Sequence, residues 1–239
     1  MAVKLGFCFD MDGTLINSTE MGDAIGREIY KEFNIQPTEK MEKEIEELVY
    51  KIMQGENRKN LEAKIMWEIF KVVGLNFTQR VKALRIAARV FKEEKEKIKL
   101  FDGVEKLFDL LDDNGFNYAI ATTSSMKEVD ERLSKFPDLY KKLSGKIISR
   151  SSVENMKPHP ESMQLAASMM NTPLNRCIIV GDMHTDINMG KAVGAITIGV
   201  LTGIFTKEKL QELNPDFILD SVADIPSRLE EIKQLINKN

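Results

Sequence analysis

Apolar and polar positions along the chain follow three successive patterns. Residues 5–9, Leu5-Gly6-Phe7-Cys8-Phe9, form a short apolar run that stops at a polar turn. Such a run, four to eight residues long and bounded by Asp and Gly, is the pattern of a buried parallel strand. Residues 16–99 carry no strand pattern. Their apolar residues recur every three or four positions, as in Met41, Ile45, Leu48 and Ile52, which places one apolar stripe on a helix. Four helices are expected, over 18–33, 38–54, 57–73 and 77–97. The breaks fall at Asn34-Ile35-Gln36-Pro37, Gln54-Gly55-Glu56-Asn57 and Gly74-Leu75-Asn76. The charged run 92–99 reads as the solvated end of the fourth helix.

From residue 100 onward the pattern alternates. Strands are expected at 118–121, 146–149, 177–180, 195–200 and 217–219. Helices fit at 103–114, 125–134, 160–170, 186–193, 206–213 and 225–237. Strand–helix alternation of this kind builds a parallel sheet with helices on both faces. The first strand belongs with this region. The chain is therefore read as an α/β, Rossmann-like doubly wound parallel sheet core made of 1–15 and 100–239. An all-helical domain at 16–99 is inserted into it.

Composition narrows the function. The 239 residues hold 34 basic and 37 acidic side chains, a net charge of -3. A nucleic-acid partner calls for a basic patch, so none is expected. No apolar run approaches the roughly 20 residues of a membrane helix. The start of the chain lacks a secretory pattern. Cys8 and Cys177, the only cysteines, sit in apolar runs without metal-ligand spacing. They are read as reduced core thiols in a cytoplasmic protein.

Candidate chemistry lies just after the strands, because open parallel sheets bind ligands at their carboxyl ends. Asp10 and Asp12, in Asp10-Met11-Asp12-Gly13-Thr14, are two apart and face one side of an extended chain. Close carboxylates repel unless a cation or proton intervenes, and magnesium suits a few hard oxygens. A pair of turn acids capping a helix would give the same two letters. Asp182 and Asp186 follow the run Cys177-Ile178-Ile179-Val180-Gly181. Asp186 also suits the first turn of a helix for its dipole alone. Thr122, before Thr123-Ser124-Ser125, can bond a phosphate oxygen or simply cap a helix. Lys157, held by Pro158 and Pro160, can present a point charge to an anion. His159 and His184 lack a second histidine at ligand spacing and are read as local turn residues.

In this order the segments resemble the four motifs of the haloacid dehalogenase superfamily. The closest subgroup is similar to phosphoglycolate phosphatases and beta-phosphoglucomutases. The resemblance implies that 16–99 is a helical cap domain. It implies that Asp10 attacks phosphorus, and that Asp12 moves protons to the leaving group and from water. Mg2+ would be held by Asp10, the Asp12 carbonyl, Asp182 and Asp186. Thr122, Thr123 and Lys157 would bind the transferring phosphoryl oxygens. Asp12 argues for transfer to water or a sugar hydroxyl, since dehalogenases lack that acid. In the cap, Arg58 of Gln54-Gly55-Glu56-Asn57-Arg58-Lys59 is similar to an arginine that holds substrate phosphate in the mutases; an ordinary basic residue at a helix start reads the same. Hinges are expected near 15–18 and 100–103, with Asp102 where the family often has Pro.

The reading preferred is a magnesium-dependent phosphatase acting on a small soluble phosphomonoester, as a monomer or homodimer. Thr14 agrees with it, since the mutases tend to Val there. A phosphosugar mutase and a non-catalytic phosphate-binding module are the alternatives.

Overall fold

The computed structural model describes residues 4–53 and 61–238. The chain divides into two compact units, Met1–Ser18 with Ile98–Asn239, and Thr19–Lys97.

The first unit is built on six parallel strands. They are β1 (Gly6–Phe9), β4 (Asn117–Ala121), β5 (Ile147–Ile148), β6 (Cys177–Gly181), β7 (Ile196–Val200) and β8 (Phe217–Leu219). Their spatial order is β5-β4-β1-β6-β7-β8. β1 lies in the middle, pairing with β4 on one side and β6 on the other, with Phe9 beside Ile120 and Val180. The order reverses direction around β1, so the crevice of the sheet opens above this strand and its neighbours.

Alternation across the sheet explains why both faces are covered. Cys8, Ala119, Ala121, Cys177 and Ile179 share one core cluster with Met163, Ala166 and Ala167 of helix α8 (Glu161–Met169) and Met189 of helix α9 (His184–Ala192). Phe7, Phe9 and Tyr118, from the alternate positions, meet aromatic partners instead. Phe9 packs at a tilt and Tyr118 edge-on against Phe108 of α5 (Val104–Asp113), at 5.4 and 5.0 Å, and Phe7 packs at a tilt against Phe116 at 5.9 Å. Residues one apart on a strand point to opposite faces, so a sheet covered on both sides reads as continuous apolar sequence. Gly190 lets α9 lie close: a Cβ there would stand 2.3 Å from Ile179 Cγ2.

The second unit contains α1 (Thr19–Glu32), α2 (Glu39–Met53), α3 (Leu61–Val72) and α4 (Phe77–Lys95). Ile29, Phe70, Val73, Leu75, Ala83 and Ala87 form its core. Asn76 caps α4 by accepting from the Gln79 N–H at 3.0 Å, and the Asn76 N–H in turn donates to Gln79 Oε1 at 2.9 Å. Residues 54–60, including Arg58, lie outside the described residues.

Three expectations are corrected. Helix 125–134 is α6 (Met126–Leu133), followed by an unforeseen α7 (Pro137–Leu143). Pro137 occupies the first turn of α7, where a missing N–H costs nothing. The segments around 15–18 and 100–103 contain an antiparallel pair, β2 (Ile16–Asn17) with β3 (Lys99–Leu100). Lys99 thus belongs to a strand and not to the solvated end of a helix. Two-residue strands show no readable period. Cys8 and Cys177 are free and buried, and among the described residues no helix is long and apolar enough to cross a membrane.

Candidate active site

The acidic turn leaves the carboxyl end of β1 and folds back on itself. Leu15 and Ile16 both donate N–H bonds to the Met11 carbonyl, and Gly13 donates to Ile16 O. Gly13 has φ +79°, and a Cβ on it would stand 2.6 Å from Asp182 Oδ2. Both the backbone sign and the space therefore require glycine. Met11, between Asp10 and Asp12, is fully buried.

Asp10, Asp182 and Asp186 come together at the ends of adjacent strands. Each offers a carboxylate oxygen within 4.8 Å of the others, and all three are buried. Lys157 reaches them from the loop before α8. Its Nζ donates to Asp10 Oδ1 at 2.7 Å and to Asp186 Oδ1 at 2.6 Å, and its side chain is 2% exposed. Asp186 Oδ2 also accepts from the Met183 N–H at 3.3 Å. Asp186 therefore both accepts from the backbone at the start of α9 and faces Lys157 and the other two carboxylates.

Electrostatics follow from burial. Desolvation pushes the Asp10 carboxyl up to about 7, against the pull of Lys157 and with Asp186 adding to the rise. Desolvation also raises Asp182 well above the ordinary range, with Asp10 and Asp186 contributing. Burial alone would lower Lys157, but Asp10 and Asp186 outweigh it and keep the ammonium charged. Three carboxylates against one lysine leave an excess of two negative charges when all are ionised. Asp182 Oδ1 is buried and has no hydrogen-bond partner among the described residues. An all-oxygen donor set with an orphaned carboxylate oxygen and that charge excess fits a hard divalent cation.

Asp12 stands apart from this cluster. Its Oδ2 accepts from Arg132 Nη1 at 2.6 Å and from Ser124 Oγ at 3.1 Å. Burial raises its carboxyl, and Arg132 opposes the rise. Among the expected metal ligands, its carboxylate is thus engaged elsewhere. Thr122 lies buried at the end of β4, where its Oγ1 accepts from the Ser124 N–H at 3.1 Å. Thr123, next to it, is half-buried.

Sequence reasoning missed four contributors. Arg132 and Ser124 hold Asp12. From the loop after β7, Thr202 Oγ1 donates to Gly13 O at 2.6 Å, and the Ile204 N–H donates to Asp182 Oδ2 at 3.3 Å. Gly203, between them, lies so close that a Cβ would be 1.7 Å from Asp182 Oδ2. That loop is anchored by Phe205, whose ring stacks on His184 at 5.5 Å. A Gly just past a strand end was the available signal for Gly203; Arg132, in the last turn of α6, where a basic residue also suits the helix dipole, offered none.

Known proteins resemble this chain in sequence and in fold. A pyrophosphatase, PpaX, from Listeria monocytogenes serotype 4b is 27% identical over 217 residues, 91% of this chain and 92% of that protein. The structure of a predicted phosphoglycolate phosphatase from Haemophilus somnus superposes with a TM-score of 0.69 at 21% identity, covering 95% of this chain and 98% of that one. A haloacid dehalogenase family hydrolase from Deinococcus radiodurans, solved with bound phosphate and sodium, superposes at 0.71 with 19% identity and 98% coverage of both chains. The family model for haloacid dehalogenase-like hydrolases matches residues 7–200. With that match over most of its length, the chain belongs to the haloacid dehalogenase-like hydrolase family.

Proposed function

We propose that the protein is a magnesium-dependent phosphatase that hydrolyses a small phosphate ester through an aspartyl-phosphate on Asp10. The observation that carries this reading is the position of Asp10: it ends the central strand, and its carboxylate is held by Lys157 beside Asp182 and Asp186.

Asp10 supplies the nucleophilic oxygen, which forms a bond to phosphorus as the ester oxygen leaves. Asp12 supplies a proton to that oxygen and later takes one from the attacking water. Lys157 places a fixed positive charge beside the oxygen that approaches an anion, which lowers the repulsion between them. Thr122 and Thr123, with the start of α6, receive the phosphoryl oxygens. Asp10, the Asp12 carbonyl, Asp182 and Asp186 would hold magnesium. Its chemistry there is charge neutralisation between carboxylate and phosphate. Substrate choice is assigned to the helical unit Thr19–Lys97, as a cap.

The name of the Listeria relative favours a phosphoanhydride beside the monoesters, so pyrophosphate belongs among the substrates tested. The measurement is inorganic phosphate released from p-nitrophenyl phosphate, pyrophosphate, phosphoglycolate and sugar phosphates, with magnesium and with a chelator. Wild type should release phosphate only with magnesium, and Asp10→Asn should release none. Equal release by both would remove Asp10 from the role of nucleophile.

A further inference from the structure

Arg132 is an arginine with an unusual address. It stands two turns into α6, on the helix face of Ser125 and Glu128. Arginines on short surface helices normally end in water; this one is 8% exposed. Its Nη1 donates to Asp12 Oδ2 at 2.6 Å and to Ser124 Oγ at 2.7 Å. Ser124 Oγ donates in turn to the same Asp12 oxygen at 3.1 Å. Ser124 and Arg132, eight residues apart around the start of α6, thus meet at one carboxylate oxygen from the distant acidic turn. The other oxygen, Asp12 Oδ1, is buried and has no hydrogen-bond partner among the described residues.

The asymmetry between the two oxygens has a chemical meaning. A proton-transfer group works only when held within hydrogen-bond reach of the atom it serves. A guanidinium stays charged at every working pH, so its bond to Oδ2 persists whether Oδ1 carries a proton or not. We infer that Arg132 is a positioning residue for proton transfer: with Ser124 it pins Oδ2 of Asp12, and Oδ1 is the oxygen that gives and takes the proton.

The inference rests on the phosphatase reading. In the first half, the Asp10–phosphorus bond forms, the ester phosphorus–oxygen bond breaks, and the Oδ1 proton goes to the departing oxygen. In the second, a water oxygen bonds phosphorus, its proton passes to Oδ1, and the phosphorus–Asp10 bond breaks. The balance is ester plus water to alcohol plus phosphate, with Asp12 restored.

A double-mutant cycle on the full chain with magnesium tests this. Turnover of an alkyl phosphomonoester and of p-nitrophenyl phosphate is measured for wild type, Arg132→Ala, Asp12→Asn and the double variant. Arg132→Ala should lower kcat roughly tenfold or more while KM stays within about threefold. The alkyl ester should suffer more, because a nitrophenolate leaves with less need of a proton. In the Asp12→Asn background, removing Arg132 should change turnover by less than about twofold, since the two act as one unit. Arg132→Lys should recover part of the loss, and it carries the cycle if the alanine variant does not fold. An equal loss in both backgrounds, or a loss expressed in KM alone, overturns the positioning role. Wild type that turns over no phosphate compound sinks the phosphatase reading and this inference together; turnover with additive losses sinks the inference only.

Discussion

The two units place their charged residues in opposite ways. In Thr19–Lys97 the ion pairs join exposed side chains: Lys82 with Glu32, Arg89 with Glu28 at 3.5 Å, Lys71 with Glu68 at 2.6 Å. Its core is apolar. At the carboxyl ends of β1, β4 and β6, Asp10, Lys157, Asp182, Asp186 and Arg132 are all nearly buried. Exposed pairs contribute about 0–1 kcal/mol each. Buried charges are costly to desolvate and costly to leave unpaired. A fold retains such an arrangement where the charges act on something else. The helical unit is held by packing, whereas the sheet end concentrates charge at the expense of stability.

The strongest way to break this contrast is at Asp10. Asp10→Asn should lower phosphate release by roughly 10⁴-fold or more, with the thermal midpoint of metal-free protein unchanged or raised, because a buried anion has been removed. Assays of release and a melting curve on the same sample check both halves. Lys157→Ala is the reverse case. It strands Asp10 and Asp186 without their shared cation and should cost about 3–5 kcal/mol in urea unfolding, together with activity.

The pH dependence sharpens the comparison. The folded Asp10 carboxyl is raised to about 7 by burial, from an ordinary value of 3.8. Between those values the folded protein binds a proton that the unfolded chain has released. Stability of the metal-free protein is therefore full below the unfolded value and is lost as pH rises toward 7. Asp12 and Asp182 are raised too and act with the same sign. Urea midpoints measured with a chelator should fall from about pH 4 to about pH 7, and Asp10→Asn should flatten the slope. Magnesium added above that range should recover the loss.

Gly203→Ala is a smaller perturbation aimed at one ligand. A methyl group there overlaps Asp182 Oδ2, so Asp182 must shift. The expected result is about 1–3 kcal/mol of destabilisation and a weakened thermal response to magnesium. An unchanged magnesium response would show that Asp182 holds no metal. Lys82→Ala, in the helical unit, should change stability by less than about 1 kcal/mol and leave the magnesium response untouched.

Legibility in the sequence followed the same division. Asp10, Asp12 and Asp182 stand just after apolar runs, so their placement at strand ends was visible from local pattern; Lys157 was marked by its prolines and Asp186 by its place at a helix start. The six parallel strands were visible for the same reason: a sheet covered on both faces has a loud apolar signal. Arg132, Ser124 and Thr202 were not legible. Their partners lie 120, 112 and 189 residues away, and nothing local marks an arginine in the last turn of a helix as buried. The β2–β3 pair escaped because two residues cannot display a period, and α7 because a proline at a helix start looks like a proline at a stop.

That small pair has a consequence for how such a chain can diversify. Asn17 and Lys99 are direct neighbours across the β2–β3 ribbon, so the chain leaves and re-enters the sheet unit through adjoining residues. Any segment whose ends lie a strand's width apart can be spliced between them at little loop-closure cost, with the order of the six parallel strands untouched. The ribbon serves as a socket: an inserted helical unit can be exchanged at one place while the buried carboxylates of the sheet unit keep their positions.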